Sequence, residues 1–176
     1  MAEARLHLYA GDVAAAAKVL EEPEAQSDWV RTDSNTGLLF AAVEALVGFA
    51  EGRHDLILAR LEQAIARAER MGLVVWLIEL WLLQGQAYLG LERPAESAAV
   101  LTKARRAAEQ SGSRKLLWQV LSGLADVAAR DGNREQAELF RQAMEAETAY
   151  VAGHIADEQL RRKFLARTRE WRIHDR

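Results

Sequence analysis

The sequence predicts an all-α fold, a right-handed superhelix (α-solenoid) of about four helical hairpins with a 40-residue repeat and a C-terminal capping helix. Three observations predict it. Equivalent residues recur at one interval: Gly72 and Gly112, Leu61 and Leu101, Ala64 and Ala104, and Glu69 and Glu109 are each 40 residues apart, and the series Ile57, Ser97, Ala137 holds the step twice. Turn-forming residues keep the same beat, with Gly52 and Gly132 two periods apart, Glu92 midway, and Gly11 one residue out of step. Between the turns, apolar and small residues follow helical spacing, so each unit is a pair of helices that buries its apolar face only by stacking on its neighbours.

Taken in order, the first hairpin spans about 2–10 and 12–21, around the turn Ala10-Gly11-Asp12. Only nine residues stand before that turn, against about 18 in the helix leading to Gly52, so this hairpin reads as a cut edge of a longer array and the chain as a piece of a larger protein. Its exposed stacking face, with Leu6, Leu8 and Val13, is then expected to fray or to pair with a second copy as a homodimer. The connection from Glu22 to Asp33 is long, and Trp29 is expected to pin it onto the array. The second hairpin covers about 34–51 and 53–71, split at Glu51-Gly52-Arg53, with the stripe Ile57, Leu61, Ala64, Ile65 and Ala68 on its second helix.

The third hairpin runs over about 73–90 and 94–111. Leu91-Glu92-Arg93-Pro94 makes its turn, since proline suits a first helical turn, and Ala98, Leu101, Ala104 and Ala108 form its second stripe. The apolar run Leu73 to Leu83 is 11 residues long and includes Glu79, too short for a membrane span of about 20, and reads as a helix buried on several sides. The fourth hairpin covers about 114–131 and 133–152 around Asp131-Gly132-Asn133, with Phe140, Ala143, Met144 and Val151 continuing the pattern. A terminal helix follows over about 156–172.

Small residues explain how the hairpins close. Ala45, Gly85 and Ala125 recur at 40-residue steps on the first helices, opposite Ile57, Ser97 and Ala137 on the second. Trp81, Tyr88 and Leu121 supply the bulk between neighbouring hairpins.

Composition agrees with one folded body. The 176 residues are 50% hydrophobic and 28% charged, far from the low-hydropathy, high-charge regime of disordered chains. The absence of cysteine removes disulfides and thiolate metal sites and fits a reducing, cytoplasmic setting, and Met1 to Lys18 lacks the features of a secretory leader. Net charge is −3, with −6 over residues 1–88 (7 basic, 13 acidic) and +3 over 89–176 (16 basic, 13 acidic). A skew that small argues against a general nucleic-acid surface, and no membrane partner is expected.

The stretch Trp81-Leu-Leu-Gln-Gly85-Gln-Ala-Tyr88, followed by Ser97, Leu101 and Ala104, resembles the tetratricopeptide pattern, and Gly132-Asn-Arg-Glu-Gln-Ala137 resembles its turn. The 40-residue period exceeds the usual one of about 34 and, with longer helices, is similar to the superhelical sensor domains of large bacterial ATP-dependent transcriptional activators, typified by the activator of the maltose regulon. Ile155-Ala-Asp157-Glu-Gln-Leu160-Arg161-Arg-Lys-Phe164-Leu165 resembles the closing helix of arrays in bacterial signalling ATPases, including regulators fused to nucleotide cyclases. The resemblance implies a non-catalytic sensor or protein-interaction module of bacterial signalling or transcription, with other domains of the same regulator among its partners. No Gly-x-x-x-x-Gly-Lys-Ser/Thr loop is present, so any ATPase activity would belong elsewhere.

Catalysis finds no support in the residues, and no cofactor or metal is expected. His7, His54, His154 and His174 are scattered without a His-Glu-x-x-His pair. Ser122-Gly123 lacks the preceding glycine of a nucleophile elbow, and Asp126 and Asp131, five apart, do not share a helix face.

Recognition is the expected role; the alternatives are a nucleic-acid-associated regulatory domain using the basic C-terminal helix, or a purely structural oligomerisation module. In a right-handed stack the first helices line the concave side, which places Leu39, Leu46 and Phe49, then Glu79, Gln86 and Leu89, then Gln119, Ser122, Asp126 and Arg130 along a groove suited to an extended peptide or a partner helix. For Leu39, Leu46 and Phe49 a purely core role is the competing reading. The resemblance to tetratricopeptide domains implies no capture of an acidic tail, because Ala42, Leu82, Ser122, Leu46, Gln86 and Asp126 stand where those domains place lysine and asparagine clamps. The terminal helix is the other candidate surface. From Leu160 to Arg176 it carries Arg161, Arg162, Lys163, Arg167, Arg169, Arg172 and Arg176 against Glu170 and Asp175, with a stripe of Leu160, Phe164, Leu165 and Trp171. Such a helix either binds nucleic acid, a membrane surface or an acidic partner, or caps the last hairpin with its cations solvated.

Overall fold

A computed structural model describes Glu3, Ala4, His7 and residues 12–22 and 35–170. Among these residues every regular element is an α-helix: α1 (Val13–Glu21), α2 (Asn35–Ala50), α3 (His54–Arg70), α4 (Val74–Gly90), α5 (Pro94–Ser111), α6 (Arg114–Arg130), α7 (Arg134–Gly153) and α8 (Glu158–Glu170). The expected helix over 2–10, apart from three of its residues, and the connection carrying Trp29 lie outside the described residues, as do Trp171, Arg172 and Arg176.

The repeat is written into the backbone at half the expected spacing. Gly52, Gly72, Glu92, Gly112 and Gly132, each 20 residues from the next, are the described residues with left-handed φ, between 56° and 76°. In all five turns the following N–H donates to the carbonyl five residues back: Arg53 to Gly48, Leu73 to Ala68, Arg93 to Tyr88, Ser113 to Ala108 and Asn133 to Ala128, at 2.8–3.0 Å. This Schellman closure satisfies the end carbonyls of one helix and turns the chain into the next. Glu92 alone makes it with a side chain, where a left-handed L-residue costs about 1–2 kcal/mol. Glu92→Gly is therefore expected to stabilise the fold by about 0.5–1 kcal/mol after glycine's larger unfolded-state entropy is offset, read as a higher urea midpoint at unchanged slope.

Helix starts follow local chemistry. The side chains of Asp12, Asn133 and Asp157 accept from the backbone N–H of Ala15, Gln136 and Leu160 at 2.9, 3.1 and 2.8 Å, and Pro94 opens α5. The beat ends at α7, which runs 20 residues, and Gly153 does not adopt left-handed φ. There Tyr150 and His154 lie with ring centroids 4.3 Å apart and planes tilted by 33°, and the His154 Nδ1 lies 2.8 Å from the Tyr150 carbonyl.

Consecutive helices pack against one another, and α2, α4 and α6 also pack directly side by side in a row. The second helices keep their distance: α3 and α5 meet through the Lys103–Glu69 bridge at 3.2 Å. One apolar cluster runs through α2 to α6, holding Leu38, Ile57, Leu61, Ile78, Leu101 and Val120, and a smaller one joins α1 to Phe40, Val43 and Val47 of α2. In α4, Ile78 and Leu80 to Leu83 are buried while Val74 and Val75 are exposed, and among the described residues no helix is long and apolar enough to cross a membrane.

The small-residue contacts are tighter than the repeat alone suggests. Ser97 donates its hydroxyl to the Gly85 carbonyl at 2.8 Å, and a Cβ on Gly85 would lie 2.6 Å from Leu101. In the hairpin before it, the close approach to Ile57 comes at Gly48, one turn beyond the Ala45 expected there, because Ile57 is larger than Ser97 and needs the space of a missing side chain.

Candidate partner-binding face

The row α2, α4, α6 presents one register of positions at 40-residue steps: Leu39, Glu79, Gln119; then Ala42, Leu82, Ser122; then Leu46, Gln86, Asp126; then Phe49 and Leu89. The structure brings these onto neighbouring helices but grades their access. Glu79, Gln119 and Asp126 are half-buried and Arg130 is exposed, while Gln86 and Ser122 are buried and Leu89 is 1% exposed. Leu89 therefore offers no surface to a partner, contrary to the sequence expectation. It sits at the end of α4 inside the central cluster, and its carbonyl accepts from Arg130 Nη1 at 2.8 Å, which ties the ends of α4 and α6 together.

Leu39, Leu46 and Phe49, for which a core and a groove role are both open, are half-buried. Leu39 and Leu46 pack on the cluster that α1 forms with α2, and Phe49 stacks on His54 with centroids 5.7 Å apart. The α1 helix thus covers one end of the row. At the other end α8 does the same: Phe164 meets Trp118 edge-on, 6.3 Å between centroids at 88°.

The terminal helix departs from its expected stripe. Phe164 and Leu165 face the body, but Leu160 is 58% exposed and Thr168 is buried in its place. Arg162 and Lys163 are exposed, Arg162 reaching Glu158 at 3.6 Å, and the side chains of Arg167 and Arg169 lie outside the description.

Trp81 and Leu121 are buried between hairpins, and Tyr88 is half-buried under Arg93, 4.8 Å from its ring centre. Among the described residues no three His, Asp or Glu side chains gather at metal-binding distance. A feature that sequence reasoning missed adjoins Ser122 and Asp126: a cavity of about 590 Å³ between α6, α7 and α8. Its signal was present, because the 40-residue step sets Arg141 in the place of Leu101 and Thr148 in that of Ala108. No family model matches this chain, and neither the curated proteins nor the solved structures gave a match.

Proposed function

We propose that this chain is a non-catalytic interaction or sensor module, a tetratricopeptide-like right-handed superhelix that holds an extended peptide or partner helix along α2, α4 and α6. The observation that carries the reading is the direct side-by-side packing of those three helices, with α3, α5 and α7 kept apart behind them. A row that packs more closely than the one behind it curves inward, which favours it as the concave side. Half-buried polar side chains at one register, Glu79 and Gln119, can supply hydrogen bonds there without being needed for packing. The resemblance of its repeat pattern to sensor arms of bacterial regulators favours a role in cytoplasmic signalling or transcription, with neighbouring domains of the same regulator as its first candidate partners.

The test starts from a partner recovered by cross-linking and pull-down. Glu79→Ala with Gln119→Ala is expected to weaken its binding at least about tenfold while shifting stability by less than about 0.5 kcal/mol, the usual range for surface changes. Arg162→Ala with Lys163→Ala on α8 is expected to leave it unchanged, and raising salt should change the affinity little. The reverse pattern, with steep loss in salt, would move the site to the basic helix and favour a nucleic-acid partner.

A further inference from the structure

We propose that the edge formed by the turn between α3 and α4 and by the starts of α4 and α6 is a docking surface for an acidic segment of another protein that carries apolar side chains among its carboxylates. This goes beyond the groove reading, uses other residues and does not depend on it.

Three exposed apolar residues lie together at that turn. Met71, the cap residue of α3, is 37% exposed, and Val74 and Val75, the first two residues of α4, are 45% and 56% exposed. One period on, the same positions are Ser111, Arg114 and Lys115, so the repeat itself does not call for apolar side chains here. The half-buried Leu73 and Trp76 join the patch to the central cluster, and a partner seated on it would extend that core outward.

The charge of the same edge decides which partner fits. Helix starts favour negative charge, and α3, α5, α7 and α8 each place a carboxylate in the first turn: Asp55, Glu96, Glu135 and Glu158. The starts of α4 and α6 have neither a carboxylate nor a side-chain cap, and α6 opens instead on the exposed pair Arg114 and Lys115. The acids bordering the edge are matched within the chain: Glu69 by Lys103 at 3.2 Å, Glu109 by Arg105 at 2.7 Å and Glu147 by Arg114 at 2.7 Å. With the exposed Arg70 and Lys115 added, five cations stand against three carboxylates, and Lys115 makes no ion pair among the described residues. A nucleic acid would use the cations and leave the two valines bare. A purely apolar segment would leave Lys115 and the two helix starts unanswered. An excess of two cations also falls short of the clusters of about four to eight that hold a protein on an anionic bilayer. A segment with carboxylates on either side of apolar residues meets both halves of the edge.

Isothermal titration of the full chain with the capped peptide Asp-Leu-Trp-Asp-Val-Asp tests this, against one version with lysine for each aspartate and one with serine for each apolar residue. The first is expected to bind at least about tenfold more tightly than either. Val74→Ser with Val75→Ser should remove the preference over the serine version, and Lys115→Glu should remove the preference over the lysine version. Arg162→Ala on α8, and Glu79→Ala with Gln119→Ala in the groove, should leave the peptide's affinity unchanged. All of these substitutions are on exposed or half-buried side chains, and urea midpoints show that each variant is folded. Equal affinity for the three peptides, no binding by the unmodified chain, or loss of binding through the groove pair would each overturn the proposal. So would a dimer in sedimentation that Val75→Asp dissolves, peptide binding that appears only after Trp29→Ser, or cosedimentation with phosphatidylserine vesicles that Val75→Asp abolishes, since these put a second copy, residues 23–34 or a membrane on the edge instead.

Discussion

Trp81→Ala is expected to lower stability by about 3–5 kcal/mol. Trp81 is 6% exposed, one face packed in the central cluster between hairpins and the other beneath Lys103, whose Nζ sits 4.1 Å from the ring centre and 3.2 Å from Glu69. Removing the indole empties a large site and strands the Lys103 stem. Lys103→Ala removes only the exposed cation and its salt bridge, and should cost about 1 kcal/mol or less. Urea unfolding of both variants separates packing from charge. If Trp81→Ala left the midpoint where it was, Trp81 would not be the wedge between the two central hairpins.

The helices were legible in the sequence because their causes are local. Stripes at Ile57, Leu61 and Ala64, and at Ala98, Leu101 and Ala104, are patterns of one helix, and the glycines that stop each helix sit in the same few residues. The 20-residue beat was harder to see, since Glu92 breaks the run of glycines and φ is visible only in the backbone. Depth of burial was legible along the apolar stripes and the run in α4, but not along the face of α2, α4 and α6 expected to line the groove. Gln86, Ser122 and Leu89 are buried while Glu79 and Gln119 are half-buried, a grading set by the packing of neighbouring helices, with Leu89 held in the central cluster and its carbonyl bonded to Arg130. The chemistry of the last hairpin could have been read by comparing units: Leu61, Leu101 and Arg141 form one series.

Gly85→Leu is the second large effect, and it acts by overfilling. A Cβ at Gly85 would already stand 2.6 Å from Leu101 Cγ and Cδ2, closer than carbon atoms approach, and three further carbons have nowhere to go in a layer where Leu101 is fully buried. Forcing α4 and α5 apart also lengthens the 2.8 Å bond from Ser97 to the Gly85 carbonyl. The expected loss is about 3 kcal/mol, at the upper end for inserted volume. The cause can be isolated in a double variant. Leu101→Ala alone should cost about 2–5 kcal/mol by leaving a cavity, but combined with Gly85→Leu it opens the space the new side chain needs. The two changes should therefore cost less together than the sum of their separate effects, by at least about 1 kcal/mol, as residues in direct contact do. Additive losses in urea titrations would mean that Gly85 is kept for some reason other than the approach of Leu101.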